Sequence, residues 1–185
     1  MTPPRLAPLE APYDAELAEE LARFMPPGMP PIRLFRTLAH NPRVLRKFRL
    51  GSLLDRGSLD LRERELAILR TTWLCRSEYE WGVHVSFFAA RAGLSDEEVR
   101  ATCATAPPQG LFSAHDAAIL RLCDSLHATA SVDDALWAEL ARELSSAQIV
   151  ELLVLAGFYH TVAYATNALR IELEPSAPRF PAGGA

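Results

Sequence analysis

The chain has 185 residues, 49% of them hydrophobic and 23% charged, a composition that suits one soluble domain with a sizeable core. Its net charge of -4, with no extended Lys/Arg cluster, argues against nucleic acid as a partner, because non-specific binding needs a basic surface. Cys75, Cys103 and Cys123 are widely spaced and make neither a disulfide framework nor a zinc pattern.

The N-terminal "MTPPRLAPLEAP" has no apolar core, so it does not read as a signal peptide. Residues 1–12 are Pro-rich and expected to be loose, ahead of a single domain at 13–174. A first helix is predicted at about 13–24, cut off by "PPGMPP" at 26–31. "AHNPRVLRKFRLGSLLDRG" reads as helix, glycine, turn. Later helix starts are marked by Asp60, by Ser77 with Glu80, by Ser95 with Glu98 after Gly93, by Ser113, by Asp133 with Val132 as a staple, and by "SSAQ" at 145–148. The stretch "IVELLVLAGFYHTVAYATNAL" is long enough to span a bilayer, but Glu151, His160 and Asn167 would be costly in lipid. It reads as a buried helix in a cytoplasmic protein with no membrane partner. "PSAPRFPAGGA", 175–185, reads as a flexible tail. No strand alternation appears anywhere, so the expected class is all-α.

On a helical wheel, Cys75, Ile68, Thr72, Glu65, Leu69, Trp73 and Leu66 share one arc of the helix at 62–75. Glu63, Arg64, Arg70 and Thr71 fall on the expected solvent side. Glu65 thus sits among apolar residues, where a carboxylate needs a partner or a polar pocket. On the helix at 77–92, Glu80, Arg91, His84 and Ser77 form a stripe. Phe87 borders it on one side, and Phe88 and Trp81 on the other. Ser77 and Glu80 also read as capping residues, and a lone buried histidine is often structural. Glu65 facing inward from the preceding helix turns the stripe into a candidate acid–base site. A cation held by Glu65, Glu80 and His84 would lack a second histidine nearby, so no metal is expected. His160, Tyr164 and Asn167 share a face of the last helix, as a second shell of the site or as polar contacts at an interface.

The stretch "ERELAILR…CRSEYEWGVHVSFFAARAGLSDEEV" resembles the carboxymuconolactone decarboxylase family, with its alkylhydroperoxidase D-like (AhpD-like) fold. The resemblance extends to "PIRLFRTLAHNP" before it and "ELLVLAGFYHTVAYATNALRIELEP" after it. The family's peroxidase branch carries Glu, eleven residues, Cys-x-x-Cys, three residues and His. Counted from Glu65, the cysteine positions fall on Ser77 and Glu80, and the histidine falls on His84. The redox pair is therefore absent, and disulfide chemistry needs a resolving thiol. The decarboxylase branch also lacks the pair and works by acid–base chemistry. The resemblance implies an oligomeric helical bundle, a trimer or hexamer, acting without a cofactor on a small carboxylated or lactone-like molecule. The catalytic set would be Glu65, His84, Glu80 and Tyr79, with Arg91, Trp81, Phe88 and Ser77 against the substrate. Cys75, His160, Tyr164 and Asn167 would stand behind them. Two alternatives stay open: a peroxiredoxin-type activity through Cys75, and a non-catalytic small-molecule-binding or assembly protein.

Overall fold

Capping chemistry sets where the helices begin. In the computed structural model, which describes residues 3–182, Asp14 caps α1 (Ala15–Ala22), Asn41 caps α3 (Pro42–Leu50) and Asp60 caps α4 (Leu61–Leu74). Ser95 caps α6 (Asp96–Ala101), Ser113 caps α7 (Ala114–Thr129), Asp133 caps α8 (Asp134–Glu143) and Ser145 caps α9 (Ser146–Leu169). Each side chain accepts a bond from a first-turn N–H that has no partner inside its helix. Reciprocal boxes join Asp60 to Glu63, Ser95 to Glu98 and Ser145 to Gln148.

The two remaining α-helices, α2 (Arg33–Leu38) and α5 (Glu78–His84), have no such cap. In α2 the role passes to distant residues. Arg33 N donates to Glu174 at 2.6 Å, and Leu34 N donates to the Tyr79 hydroxyl at 2.9 Å. The expected Ser77–Glu80 capping box does not form. The Ser77 hydroxyl instead hydrogen-bonds Thr166 Oγ1 on α9 at 2.8 Å. No strand occurs among the described residues, in line with the expected class.

Helix α4 is the centre of the packing, with α5, α7 and α9 all against it. Leu66, Ile68 and Leu69 are fully buried, but so is the side expected to face solvent: Glu63, Arg70 and Thr71 are buried as well. A single-helix wheel assumes one covered face, whereas α7 and α9 cover α4 from further directions. Two of the buried polar groups on that side, Arg70 and Glu63, find partners. Arg70 pairs with Asp124 at 2.6 Å and donates to the carbonyls of Thr102 and Ala104, with its guanidinium 4.7 Å from the Trp73 ring centre. Glu63 accepts from His115 at 2.7 Å and Gln148 at 2.8 Å.

Helix α9 is long and apolar enough to cross a membrane. Its inner stripe, Ile149, Leu152, Leu155, Tyr159, Val162 and Thr166, is buried, and α9 packs on α4, α5, α7 and α8. Glu151 accepts bonds from the backbone and hydroxyl of Ser58. A second apolar stripe, including Val150, Val154 and Tyr164, is exposed.

Both chain ends are held more than their composition suggests. Leu9 N donates to Arg36 O at 3.1 Å, and Arg5 N to Leu169 O at 2.9 Å. In the tail, Phe180 N donates to Glu78 at 2.9 Å and its ring lies 5.4 Å from that of Trp81. The packed body therefore runs past the 13–174 read from the sequence. Residues 1–2 and 183–185 of the expected loose ends lie outside the described residues.

Candidate active site

Helices α4 and α5 are joined by a tight turn in which Arg76 adopts a left-handed conformation (φ 56). The turn folds α5 back along α4, so Glu65 and His84 meet. Glu65 Oε2 lies 2.7 Å from His84 Nδ1. The other ring nitrogen, Nε2, lies 3.0 Å from the Tyr159 hydroxyl of α9 and 3.4 Å from Glu80 Oε1. Glu65 is completely buried, and Glu80, His84 and Tyr159 are each at most 6% exposed.

The carboxylate of Glu65 accepts a hydrogen bond from Nδ1–H and so fixes the ring's orientation. Neutral His84 then accepts from Tyr159 at Nε2, while the imidazolium donates there to Tyr159 or Glu80. Burial alone would lower the His84 pKa. The charge and hydrogen bond of Glu65, with those of Glu80, outweigh it and push the value up from 6.5 to about 9. The shift is towards a ring that carries both protons at neutral pH. Burial, then the charges of Glu80 and Glu65, push the Tyr159 hydroxyl well above its ordinary range. Glu80 Oε2 is buried without a hydrogen-bond partner, an acceptor left open inside the centre.

Arg64 and Phe88 close one side. Arg64 Nε lies 3.1 Å from Glu65 Oε1, and its guanidinium also donates to the Leu54 carbonyl at 2.9 Å. The Phe88 ring centre lies 5.2 Å from that of His84 and 5.4 Å from the Arg64 guanidinium.

Residues 40–122 match the model of the Carboxymuconolactone decarboxylase family. The matched segment is less than half of the chain. Among solved structures, an uncharacterized peroxidase-related protein from Silicibacter sp. TM1040 superposes with a TM-score of 0.76 at 15% identity, covering 98% of this chain and 97% of that one. The debrominase Bmp8, as a cysteine-to-alanine variant in complex with 2,3,4-tribromopyrrole, gives 0.70 at 16% identity, covering 92% of both chains. An alkylhydroperoxidase AhpD core, an uncharacterized peroxidase-related protein from Ralstonia eutropha JMP134, gives 0.68 at 14% identity, covering 95% of both. At these identities the likeness is one of fold, and the fold is AhpD-like. No curated protein matches the chain in sequence.

Within this fold, the expected site residues separate into three groups. Glu65, His84, Glu80 and Phe88 come together. Tyr79, Trp81 and Ser77 are occupied elsewhere. Tyr79 is buried with its hydroxyl donating to Glu174 at 2.6 Å, so it holds the start of α2 and not a proton for His84. Trp81 Nε1 donates to Thr102 at 3.1 Å, and Ser77 is spent on Thr166. Arg91 is exposed, stacked 5.7 Å from the Phe88 ring centre. It leaves the stripe because α5 runs on into a π-helical turn, Val85–Ala89. Such a turn holds more residues than an α turn, so the even wheel no longer applies beyond it.

Cys75, His160 and Asn167 form the third group and do not back the His84 centre. The Asn167 side chain donates to the Cys75 carbonyl at 2.8 Å, and Cys75 Sγ faces His127. Tyr164 is exposed beside His160. Sequence reasoning missed Tyr159, Arg64 and His127. Tyr159 was findable: it is the titratable member of the stripe Leu152, Leu155, Tyr159, Val162, Thr166, at the same helical spacing that singled out Glu65.

Proposed function

We propose that the chain is a cofactor-free acid–base enzyme acting on a small carboxylated or lactone-like molecule, with His84 as the proton carrier. The observation that carries this reading is the buried series Glu65–His84–Tyr159, with Glu80 beside it. In a decarboxylation, the bond from the substrate carbon to its carboxylate breaks and carbon dioxide leaves. The electron pair passes into an adjacent conjugated carbonyl, and the imidazolium of His84 delivers its proton to the carbon. Neutral His84 is then reprotonated from solvent through Tyr159. Glu65 positions the ring and raises its basicity, and proton transfer by such a group contributes about 10²–10⁴-fold in rate. The match of residues 40–122 to the Carboxymuconolactone decarboxylase family model supports the substrate class.

The alternative through Cys75 is the weaker reading. Burial pushes its thiol up to about 11, so little thiolate forms at neutral pH, and a lone thiol would need an external partner. The near-complete burial of the centre is the one observation on the side of the second alternative, a non-catalytic small-molecule-binding or assembly protein. The exposed stripe Val150, Val154, Gly157, Thr161 and Tyr164 recurs at alternating four- and three-residue steps and supports a homo-oligomer built through α9.

The experiment is a panel of small carboxylated lactones and β-keto acids, read by carbon dioxide release and by loss of lactone absorbance. Turnover that falls at least about 100-fold in His84→Gln and Tyr159→Phe supports the reading. Turnover indifferent to both substitutions, or thiol-dependent hydroperoxide reduction lost in Cys75→Ser, would overturn it.

A further inference from the structure

Three metal-ligand atoms from separate helices converge apart from the hydrogen-bonded set around His84. Cys75 closes α4, His127 stands in the last turn of α7, and His160 lies in the middle of α9. Cys75 Sγ is 3.8 Å from His127 Nδ1, which is 3.2 Å from His160 Nε2. All three atoms lie within 4.8 Å of one another. We propose that Cys75, His127 and His160 form a binding site for a thiophilic d10 cation, Zn2+ being the ion of that class to test, with a fourth coordination position open.

The spacing suits the ion. Tetrahedral zinc, with Zn–N of about 2.0–2.1 Å and Zn–S of about 2.3 Å, holds its ligand atoms about 3.3–3.6 Å apart. Two of the three edges are already close to that, and small side-chain rotations close the third. A Cys/His/His set is also the chemistry that zinc prefers over harder cations.

The support around the ligands points the same way. His160 Nδ1 is 2.9 Å from the Ala156 carbonyl, an acceptor only, so Nδ1 carries the proton and the Nε2 lone pair faces the cluster. Asn167 holds the backbone of Cys75 from the same helix. Cys75 is half-buried and His127 exposed, so an ion has access. His127 and His160 line a cleft of about 490 Å³ together with Leu126, Leu153, Gly157 and Tyr164, large enough for water or a small anionic ligand. A free Cys75 is a thiol, so coordination expels about one proton per ion and the affinity rises with pH.

The test is titration calorimetry of the full, reduced chain with Zn2+ in two buffers of different ionisation enthalpy, paired with Co2+ spectroscopy. The expected result is about one ion per chain, about one proton released, and a thiolate-to-cobalt charge-transfer band. Cys75→Ser should abolish the band, and His127→Gln and His160→Gln should each weaken Zn2+ binding by about 100-fold or more, since even second-shell losses cost about 10–100-fold. Circular dichroism checks the fold of each variant, and the exposed His127 decides the matter if Cys75→Ser does not fold. Absence of micromolar Zn2+ binding, binding unchanged in His127→Gln, or binding lost only in His84→Gln would each overturn the proposal.

Discussion

The His84 centre and the Cys75 cluster are both assembled from three helices, and both use α9. They put histidine to opposite uses. His84 is buried between two carboxyl groups, and its pKa is driven up to about 9. His127 is exposed beside a second imidazole, and its pKa is driven down. Burial pulls both rings down: at His84 the two carboxyl groups overcome it, whereas at His127 burial, joined by His160, outweighs Asp124. One ring is set to hold a proton, the other to offer a lone pair.

The contrast breaks most visibly through stability. Glu65→Ala leaves the His84 ring buried with its Nδ1 partner gone. Loss of one member of a buried pair costs about 3–5 kcal/mol, to be read from urea unfolding. If Glu65→Ala is as stable as the parent chain, the Glu65–His84 contact is not the keystone described here.

A pH series sharpens the same point. The folded pKa of His84 lies above its ordinary 6.5, so its contribution is complete below about 6.5 and is lost as pH rises through about 9. Stability should fall across that interval by an amount on the order of a few kcal/mol. The fall should be much shallower in Glu65→Gln. A parent chain that gains stability over the interval, or whose fall is unchanged in Glu65→Gln, would contradict the assignment.

The two tyrosines separate structure from chemistry. Tyr159→Phe and Tyr79→Phe each delete a buried hydroxyl, for about 1–3 kcal/mol of stability. Only Tyr159→Phe should alter the His84 ring resonances in NMR and the activity, because Tyr79 is bonded to Glu174 and Leu34. Equal effects from both on the ring would show that the two hydroxyls belong to one network.

The smallest effect belongs to the surface. His127→Ala should change stability in the absence of added metal by no more than about 0.5 kcal/mol, because the residue is exposed. A loss comparable to that of Glu65→Ala would mean that the cluster is a structural element of the fold and not an open ligand set.

The sequence made the helix starts at Asp60, Ser95, Ser113, Asp133 and Ser145 legible because capping is local chemistry. It made Glu65 and His84 legible because a titratable group on an apolar arc is costly without a purpose. Arg70 and Glu63 were misread as solvated, since a wheel carries no information on how many neighbours a helix has. Ser77 was misread as a cap because its hydroxyl has a distant competitor, Thr166. The π turn after His84 displaced Arg91, and nothing in the residue pattern announced it. The cluster at Cys75 was out of reach because His127 and His160 are far apart in the chain, and only the packing of α7 on α9 brings them together.

The most direct measurement is the protonation state of the His84 ring, followed by proton–nitrogen NMR on histidine-labelled protein across a pH titration. The assigned His84 resonances should show both ring nitrogens protonated at neutral pH, an apparent pKa near about 9, and a downward shift in Glu65→Gln. A ring carrying a single proton at neutral pH, titrating at or below its ordinary 6.5 and unmoved by Glu65→Gln, would contradict the proton-holding role that the whole acid–base reading rests on.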